Sequence, residues 1–171
     1  LFAGSALWFF KRSPLGWRMH IAGAEAGLAC GLIAVWSGCV WGAAEWGTPW
    51  DWQDYRLNTF GLLTLLALFL VLGRQSQPDG VETRDTFSTF GLYGFVLVPI
   101  TYIATRIWVI RHPGPVIAGE EGSSISGDMA TVLMIGALSF TLLIAGHIIT
   151  SMNVTKLEQR IDRLQAMLDG E

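Results

Sequence analysis

Charged side chains are scarce in this sequence, and their scarcity argues against an ordinary water-soluble domain. Only 15% of the 171 residues are charged, whereas 51% are hydrophobic. A typical soluble domain carries about 25% charged residues. The 11 basic and 14 acidic residues leave a formal net charge of −3, and they form no basic patch of the kind that binds nucleic acid. The composition therefore predicts a membrane protein with no nucleic-acid partner.

Cysteine is almost absent as well, which excludes several kinds of metal and redox site. The chain has two cysteines, Cys30 and Cys39. On one helix they would lie about 13 Å apart, too far for a disulfide. The sequence contains neither a CxxC pair nor a CxxCH haem-attachment motif, so thiolate-bound metal and covalently attached haem are not expected. We expect both cysteines to be small packing residues.

Long hydrophobic runs, in contrast, are frequent. A membrane-spanning helix needs about 17–25 mainly apolar residues, and four stretches reach this length: 21–44, 57–73, 86–108 and 128–151. A shorter apolar run at 1–10 begins without Met, so we interpret it as the end of a helix whose start is missing. The sequence therefore predicts an all-α fold. It would be a polytopic transmembrane helical bundle of about four full spans plus the end of another, within residues 1–153.

The distribution of Lys and Arg predicts how the bundle is oriented. Cytoplasmic ends of membrane helices are enriched in these residues. With spans that alternate in direction, eight basic residues lie on one side and three on the other: Lys11, Arg12, Arg18, Arg74, Arg84, Lys156, Arg160 and Arg163 against Arg56, Arg106 and Arg111. The eight-residue side, which includes the C-terminus, is predicted to be cytoplasmic. The loops at 45–56 and 109–127 would then both be external.

The last residues of the chain change from apolar to mainly charged. Apolar side chains recur there at steps of four, three and four, at Leu157, Ile161, Leu164 and Leu168. This spacing is typical of one face of an amphipathic helix, although it is too short for a confident coiled coil. We expect residues 154–171 to form a cytoplasmic amphipathic helix that lies on a partner or on the membrane.

The most informative local feature is the tryptophan segment, residues 46–56. It holds Trp46, Trp50 and Trp52, three of the eight tryptophans of the chain. Indole rings offer large rigid aromatic faces, and Arg56 can pair with carboxylates. A planar, mostly apolar ligand with an anionic edge, such as haem, would suit this chemistry. Tryptophans also collect at bilayer interfaces without a ligand, but such belts are spread over several loops, whereas this cluster is sequential.

Residues 46–57, which read WGTPWDWQDYRL, resemble the tryptophan-rich "WWD" signature of haem-handling proteins of cytochrome c maturation, most closely the CcmC type. In that family a proline inside a helix precedes an external histidine by a fixed distance. Pro99 and His112 recur here in that arrangement, with Trp108 just before the histidine. One departure is that Gln53 stands where the family has Asp, and Asp54 follows it.

The resemblance implies a set of haem-binding residues. Haem b would be held by Trp46, Gly47, Trp50, Trp52, Asp54, Arg56, Trp108 and His112. Among these, His112 would be a ligand of the haem iron, a role that suits a neutral imidazole in an external loop. The one-residue shift at Gln53 puts the acidic role of Asp54 in doubt. The family's second haem histidine lies upstream of the first residues of this sequence.

The resemblance also implies a function and partners. The chain would bind haem at the external face of the inner or plasma membrane and deliver it to a periplasmic-type haem chaperone, as a haem-transfer protein rather than an enzyme. ABC transporter subunits and membrane lipids would be further partners. Three alternatives stay open: a haem lyase of the same superfamily, a membrane electron-transfer subunit, and a structural subunit without a ligand.

Glu25, Arg106 and His147 fall inside the predicted spans, and His20 lies just before the first of them. Ionisable groups are costly in lipid, so Glu25 and Arg106 are expected to face the bundle or reach an interface. Arg106, near the external end, would be a second partner for haem propionates. His20 is placed near the cytoplasmic end, on the wrong side for the tryptophan segment. His147 is expected to bond a neighbouring helix.

Overall fold

Every described segment of regular structure is an α-helix. The computed structural model of the protein describes residues 1–107 and 125–168. The helices there are α1 (Phe2–Lys11), α2 (Pro14–Trp46), α3 (Tyr55–Gln75), α4 (Val81–Ile107) and α5 (Gly127–Leu168). The four longer helices are long and apolar enough to cross a membrane. The predicted all-α polytopic bundle is confirmed, and the apolar run at residues 1–10 lies largely in α1.

Helices α1 and α2 form a tight hairpin. The Ser13 side chain accepts a hydrogen bond from the backbone N–H of Gly16 at 3.4 Å, and Pro14 is the first residue of α2, an arrangement that favours helix initiation. A Cβ on Gly4 would lie 2.4 Å from the backbone N of His20. Small residues let membrane helices approach this closely, so any larger side chain at Gly4 would push the two helices apart.

A network of polar and aromatic contacts joins the α1–α2 turn to the start of α4. Trp8 Nε1 donates a hydrogen bond to Asp85 Oδ1 at 3.0 Å, and Asp85 also pairs with Arg12. The guanidinium of Arg84 lies 5.1 Å from the ring centroid of Trp8. The buried core lies at this end of the bundle and consists of Trp8, Trp17, Ile21, Ala24, Leu70, Val71 and Phe87. This end is therefore held together independently of the tryptophan segment.

Replacing Asp85 with Ala is expected to lower the free energy of unfolding by about 1–3 kcal/mol. The Trp8 side chain is only 4% exposed, and its indole N–H would lose its acceptor. Unfolding in detergent, followed by circular dichroism, measures the change. Asp162→Ala is the matched control, because Asp162 is exposed near the end of α5 and should change the stability by about 0.5 kcal/mol at most. Equal stability of the two variants would contradict this account of Asp85.

Helix α5 is attached to the bundle through a polar contact inside the span. Among the described helices, α5 packs against α2 alone. Ser151 Oγ on α5 donates a hydrogen bond to Glu25 Oε2 on α2 at 2.5 Å, and Arg74 Nη2 on α3 lies 3.6 Å from Glu25 Oε1. The expectation that Glu25 faces the bundle is confirmed, and its carboxylate joins three helices.

The last turns of α5 are continuous with its membrane-spanning part. The helix passes residue 153 without a break and ends at Leu168. The apolar residues of the predicted amphipathic face are more than half exposed there: Leu157, Ile161, Leu164 and Leu168. Residues 154–168 are thus helical as expected, while their separation into a unit of their own, from 154 to 171, remains a prediction.

The two histidines of the spans differ in their surroundings. His20 is fully buried, its ring stacks on Trp17 with centroids 5.0 Å apart, and its Nδ1 lies 2.8 Å from Ser5 Oγ. His147 is exposed on α5. Within the described residues its ring forms no hydrogen bond to a neighbouring helix, so the expectation that His147 bonds such a helix is not met.

The two cysteines of the chain, Cys30 and Cys39, are both free and half-buried, which agrees with a packing role.

Candidate functional site

Helix caps hold both ends of the tryptophan segment. Gly47 ends α2 directly after Trp46 with a φ of 72°, a left-handed conformation that glycine adopts without steric cost. Asp54 begins α3, where its Oδ1 accepts hydrogen bonds from the backbone N–H groups of Arg56 at 2.9 Å and Leu57 at 3.1 Å. Such an N-cap satisfies donors that a helix start leaves unpaired. The carboxylate of Asp54 is 7% exposed, so its local role is to fix where α3 begins.

Side-chain hydrogen bonds to the backbone shape the turn between these caps. Thr48 Oγ1 donates to the carbonyl oxygen of Trp50 at 2.8 Å, and Asp51 Oδ1 accepts from the backbone N–H of Gln53 at 2.9 Å. The backbone N–H of Asp54 donates to the Asp51 carbonyl at 3.1 Å. The turn at Asp51 thus includes Gln53 and leaves Asp54 at the capping position.

Trp50 and Trp52 form an edge-on pair beside the start of α3. Their ring centroids are 5.6 Å apart and their planes make an angle of 63°. The Trp50 ring lies against α3 at Gly61, where an added Cβ would be 2.9 Å from Trp50 Cη2. The Trp52 side chain is 80% exposed. One ring is thus anchored on the bundle, while the other presents an accessible aromatic face.

Trp46 pairs with Trp41 of α2, with ring centroids 4.8 Å apart and an interplanar angle of 71°. The predicted set of three rings is therefore distributed over two edge-on pairs. Trp41 was not among the predicted site residues. It could have been predicted from its position in the last turns of α2, shortly before the tryptophan segment.

Arg56 is exposed in the first turn of α3. A positive charge near a helix N-terminus is unfavourable, because the helix dipole already places partial positive charge there. Arg56 therefore does not stabilise the start of the helix. Its guanidinium is well suited to bind a carboxylate of a ligand, with which it can form two parallel hydrogen bonds.

Asn58, a residue that the sequence did not identify, contacts the segment from α3. Its Nδ2 donates a hydrogen bond to the carbonyl oxygen of Trp52 at 2.7 Å. Its Oδ1 and the Nε1 of Trp50 are both buried, and within residues 1–107 and 125–168 neither has a hydrogen-bond partner. No sequence motif marks an asparagine in the first turns of a helix as part of a site. The contact of Asn58 with the tryptophan segment could therefore be found only from the structure.

Three of the predicted residues cannot be placed at the site. Trp108 and His112 lie outside the described residues, and the side chain of Arg106 lies outside the described side chains. The role of His112 as an iron ligand and those of Trp108 and Arg106 therefore remain predictions.

A cavity of about 390 Å³ lies between α1, α2, α3 and α4, apart from the tryptophan segment. The described residues that line it are almost wholly apolar and include Phe60, Thr64 and Phe95, and none of them has a charged side chain or is a histidine. A ligand with carboxylates would find no cation there, and burying an unpaired charge is costly. The tryptophan segment with Arg56 suits an anionic planar ligand better than this cavity does.

Comparison with known proteins identifies relatives over nearly the whole chain. A family model described as "heme exporter protein C" matches residues 2–167. The chain is 29% identical to heme exporter protein C of Bradyrhizobium diazoefficiens over 96% of its own length and 61% of the relative. It is 27% identical to heme exporter protein C of Paracoccus denitrificans over 98% of the chain and 68% of the relative. The cytochrome c biogenesis protein CcsA of Pelargonium hortorum is 28% identical over 44% of the chain and 22% of the relative. The chain thus spans about three-fifths of the length of the first of these relatives.

Proposed function

Because the chain belongs to the heme exporter protein C family, we propose that it handles haem for cytochrome c maturation. The tryptophan segment binds haem at the external face of the inner or plasma membrane, and the protein then delivers it to a periplasmic-type haem chaperone. The haem is held without a covalent bond, as haem b, because the sequence has no CxxCH motif.

One observation carries this proposal: an exposed indole and an exposed guanidinium lie four residues apart in the chain. Trp52 is 80% exposed, and Arg56 is exposed in the first turn of α3. A porphyrin has two flat faces and a carboxylate edge. The ring of Trp52 can cover part of a face, and the guanidinium of Arg56 can bind a propionate at the edge. The donor set present here therefore fits haem.

The other predicted residues take supporting roles. Gly47 and Asp54 set the ends of the segment through the helix caps described above. Trp46 adds an aromatic face at the end of α2, and Trp108 adds another directly before the second external loop. His112, from the same loop, binds the iron, as histidine does in many haem proteins.

An exposed site suits transfer better than permanent storage. Haem that is enclosed in a protein core leaves slowly. Haem that is bound on an exposed ring such as Trp52 stays accessible to an incoming acceptor. We infer a haem-transfer protein rather than an enzyme, with the chaperone docking beside the tryptophan segment.

The orientation and the remaining partners follow from the charges and from the family. The excess of Lys and Arg at the opposite end of the bundle favours an external tryptophan segment and a cytoplasmic C-terminus. Membrane lipids cover the exposed apolar side chains of α5. ABC transporter subunits are the proposed protein partners within the membrane.

Replacing Trp52 with Ala tests the proposed site. The variant should bind haem about tenfold more weakly, because an aromatic contact contributes about 1 kcal/mol or somewhat more. A titration of the purified protein with haem, followed by absorbance in the Soret region, measures the affinity. Wild-type protein that gives no saturable Soret change would refute the proposed function.

Trp36→Ala is the matched control for this test. Trp36 is also a largely exposed indole, at 74%, but it lies on α2 ten residues before the tryptophan segment. It should bind haem as the wild type does. Equal losses in the two variants would mean that exposed tryptophans bind haem without a defined site.

A further inference from the structure

Asn58 is fixed to the tryptophan segment by one end of its amide group. The backbone N–H of Asn58 bonds the carbonyl oxygen of Asp54 at 3.1 Å, so the residue lies within the first turns of α3. Its Nδ2 donates to the carbonyl oxygen of Trp52 at 2.7 Å. The side chain therefore has little freedom, and its remaining atom, Oδ1, must face a neighbouring group.

The ring of Trp50 lies across the same part of α3. Gly61, which the Trp50 ring contacts, is three residues after Asn58, and residues three apart lie on one face of a helix. Among the described residues, the buried Nε1–H of Trp50 has no acceptor and the buried Oδ1 of Asn58 has no donor. A donor and an acceptor that could satisfy each other are thus both left unpaired on one face of α3.

Unpaired polar atoms of this kind are rare in folded proteins because each is costly. A movement of the Trp50 ring along α3 would bring its N–H to the Asn58 oxygen. A planar ligand that covers Trp50 and Trp52 would favour such a movement, because the new hydrogen bond forms only when the ring takes that place. Ligand binding and the satisfaction of both atoms would then support each other.

We propose that Asn58 is the positioning residue of the tryptophan segment. One amide group holds both aromatic residues in the ligand-bound state: Nδ2 binds the carbonyl of Trp52, and Oδ1 accepts the indole N–H of Trp50. The inference rests on the proposed function, because it takes haem as the ligand that orders the rings.

The experiment compares four proteins: the wild type, Asn58→Ala, Trp50→Phe and the double variant. Haem affinity is measured by Soret titration. Asn58→Ala should bind haem about fivefold more weakly, the loss expected for one hydrogen bond. If Asn58 Oδ1 acts through the indole N–H of Trp50, Asn58→Ala should cost less affinity in the Trp50→Phe background than in the wild type, where only the contact of Nδ2 with Trp52 is left to lose. Thr59→Ala is the control, because Thr59 Oγ1 bonds only carbonyls of its own helix, and its affinity should equal that of the wild type.

A spectroscopic measurement separates positioning from a general loss of structure. The indole N–H signals of the eight tryptophans are recorded by NMR with and without diamagnetic zinc protoporphyrin IX, and Trp50→Phe assigns the Trp50 signal. With the porphyrin bound, that signal should lie further downfield in the wild type than in Asn58→Ala, because the ring current of the porphyrin acts in both proteins while the hydrogen bond forms only in the wild type.

Independent losses in the affinity cycle, or a Trp50 signal at the same position in the porphyrin-bound wild type and Asn58→Ala, would overturn the role of Asn58 alone. A wild type that binds neither haem nor the zinc porphyrin would instead overturn the proposed function, and this inference with it.

Discussion

Replacing His112 with Ala is expected to weaken haem binding by about 100-fold and to shift the Soret band. The imidazole is proposed as a direct ligand of the iron, and its loss leaves a coordination position to water or to nothing. Even residues that only support metal ligands cost about 10- to 100-fold in affinity when they are removed. Haem titration of the purified variant, with full spectra in the ferric and ferrous states, measures both effects.

The other two histidines provide the controls for this experiment. His147 is exposed on α5, so His147→Ala should leave both the affinity and the spectrum unchanged. His20 is buried against Trp17 and Ser5, so its replacement should lower stability without changing the spectrum of the haem that remains bound. An unchanged spectrum in His112→Ala would remove this residue from the iron site, while the tryptophan segment would remain a candidate for stacking.

Replacing Glu25 with Leu is expected to lower the free energy of unfolding by about 2–3 kcal/mol. Ser151 would lose its acceptor and Arg74, in the last turn of α3, its carboxylate partner, and a partly buried cation left unpaired is costly. The estimate is below that for a fully buried pair because both side chains are partly exposed, at 29% and 24%. Unfolding of the purified protein by increasing amounts of denaturing detergent measures the loss.

Glu25→Gln is the conservative comparison. The amide retains an oxygen that can accept the hydrogen bond from Ser151, so this variant should lose less stability than Glu25→Leu. Since α5 packs on α2 alone among the described helices, proteolysis near α5 should become faster in Glu25→Leu than in Glu25→Gln. Equal stability of Glu25→Leu and the wild type would show that the polar contact does not hold α5.

The helical architecture of the described residues could be predicted almost completely from the sequence. Each span was placed by its apolar length, and α3 and α4 exceed the predicted stretches mainly by polar residues at their ends, such as Glu82, Arg84 and Asp85 at the start of α4. The expectation for Glu25 also followed from chemistry alone, because a carboxylate in a span needs a partner. The identity of that partner did not follow: Ser151 is 126 residues away in the chain, and no local pattern connects the two.

The candidate site was predicted in part. The tryptophan segment was identified because its aromatic residues are consecutive or nearly so, and the caps at Gly47 and Asp54 explain why those two residues are there. The pairing of Trp46 with Trp41, the seat of Trp50 on Gly61 and the contact of Asn58 with Trp52 were not predicted. Each depends on how the end of α2 and the start of α3 are placed relative to each other.

The sequence by itself determined that this protein spans a membrane with several helices and which family it belongs to. It also determined which segment contains a cluster of three tryptophans. These properties depend on hydrophobicity summed over about 20 residues and on a local motif, so they can be read along the chain. Only the tertiary structure decided which ring is anchored and which is open, which polar atoms are left unpaired, and how α5 is attached to α2. Those features arise from contacts between separate helices, and such contacts exist only when the bundle has assembled.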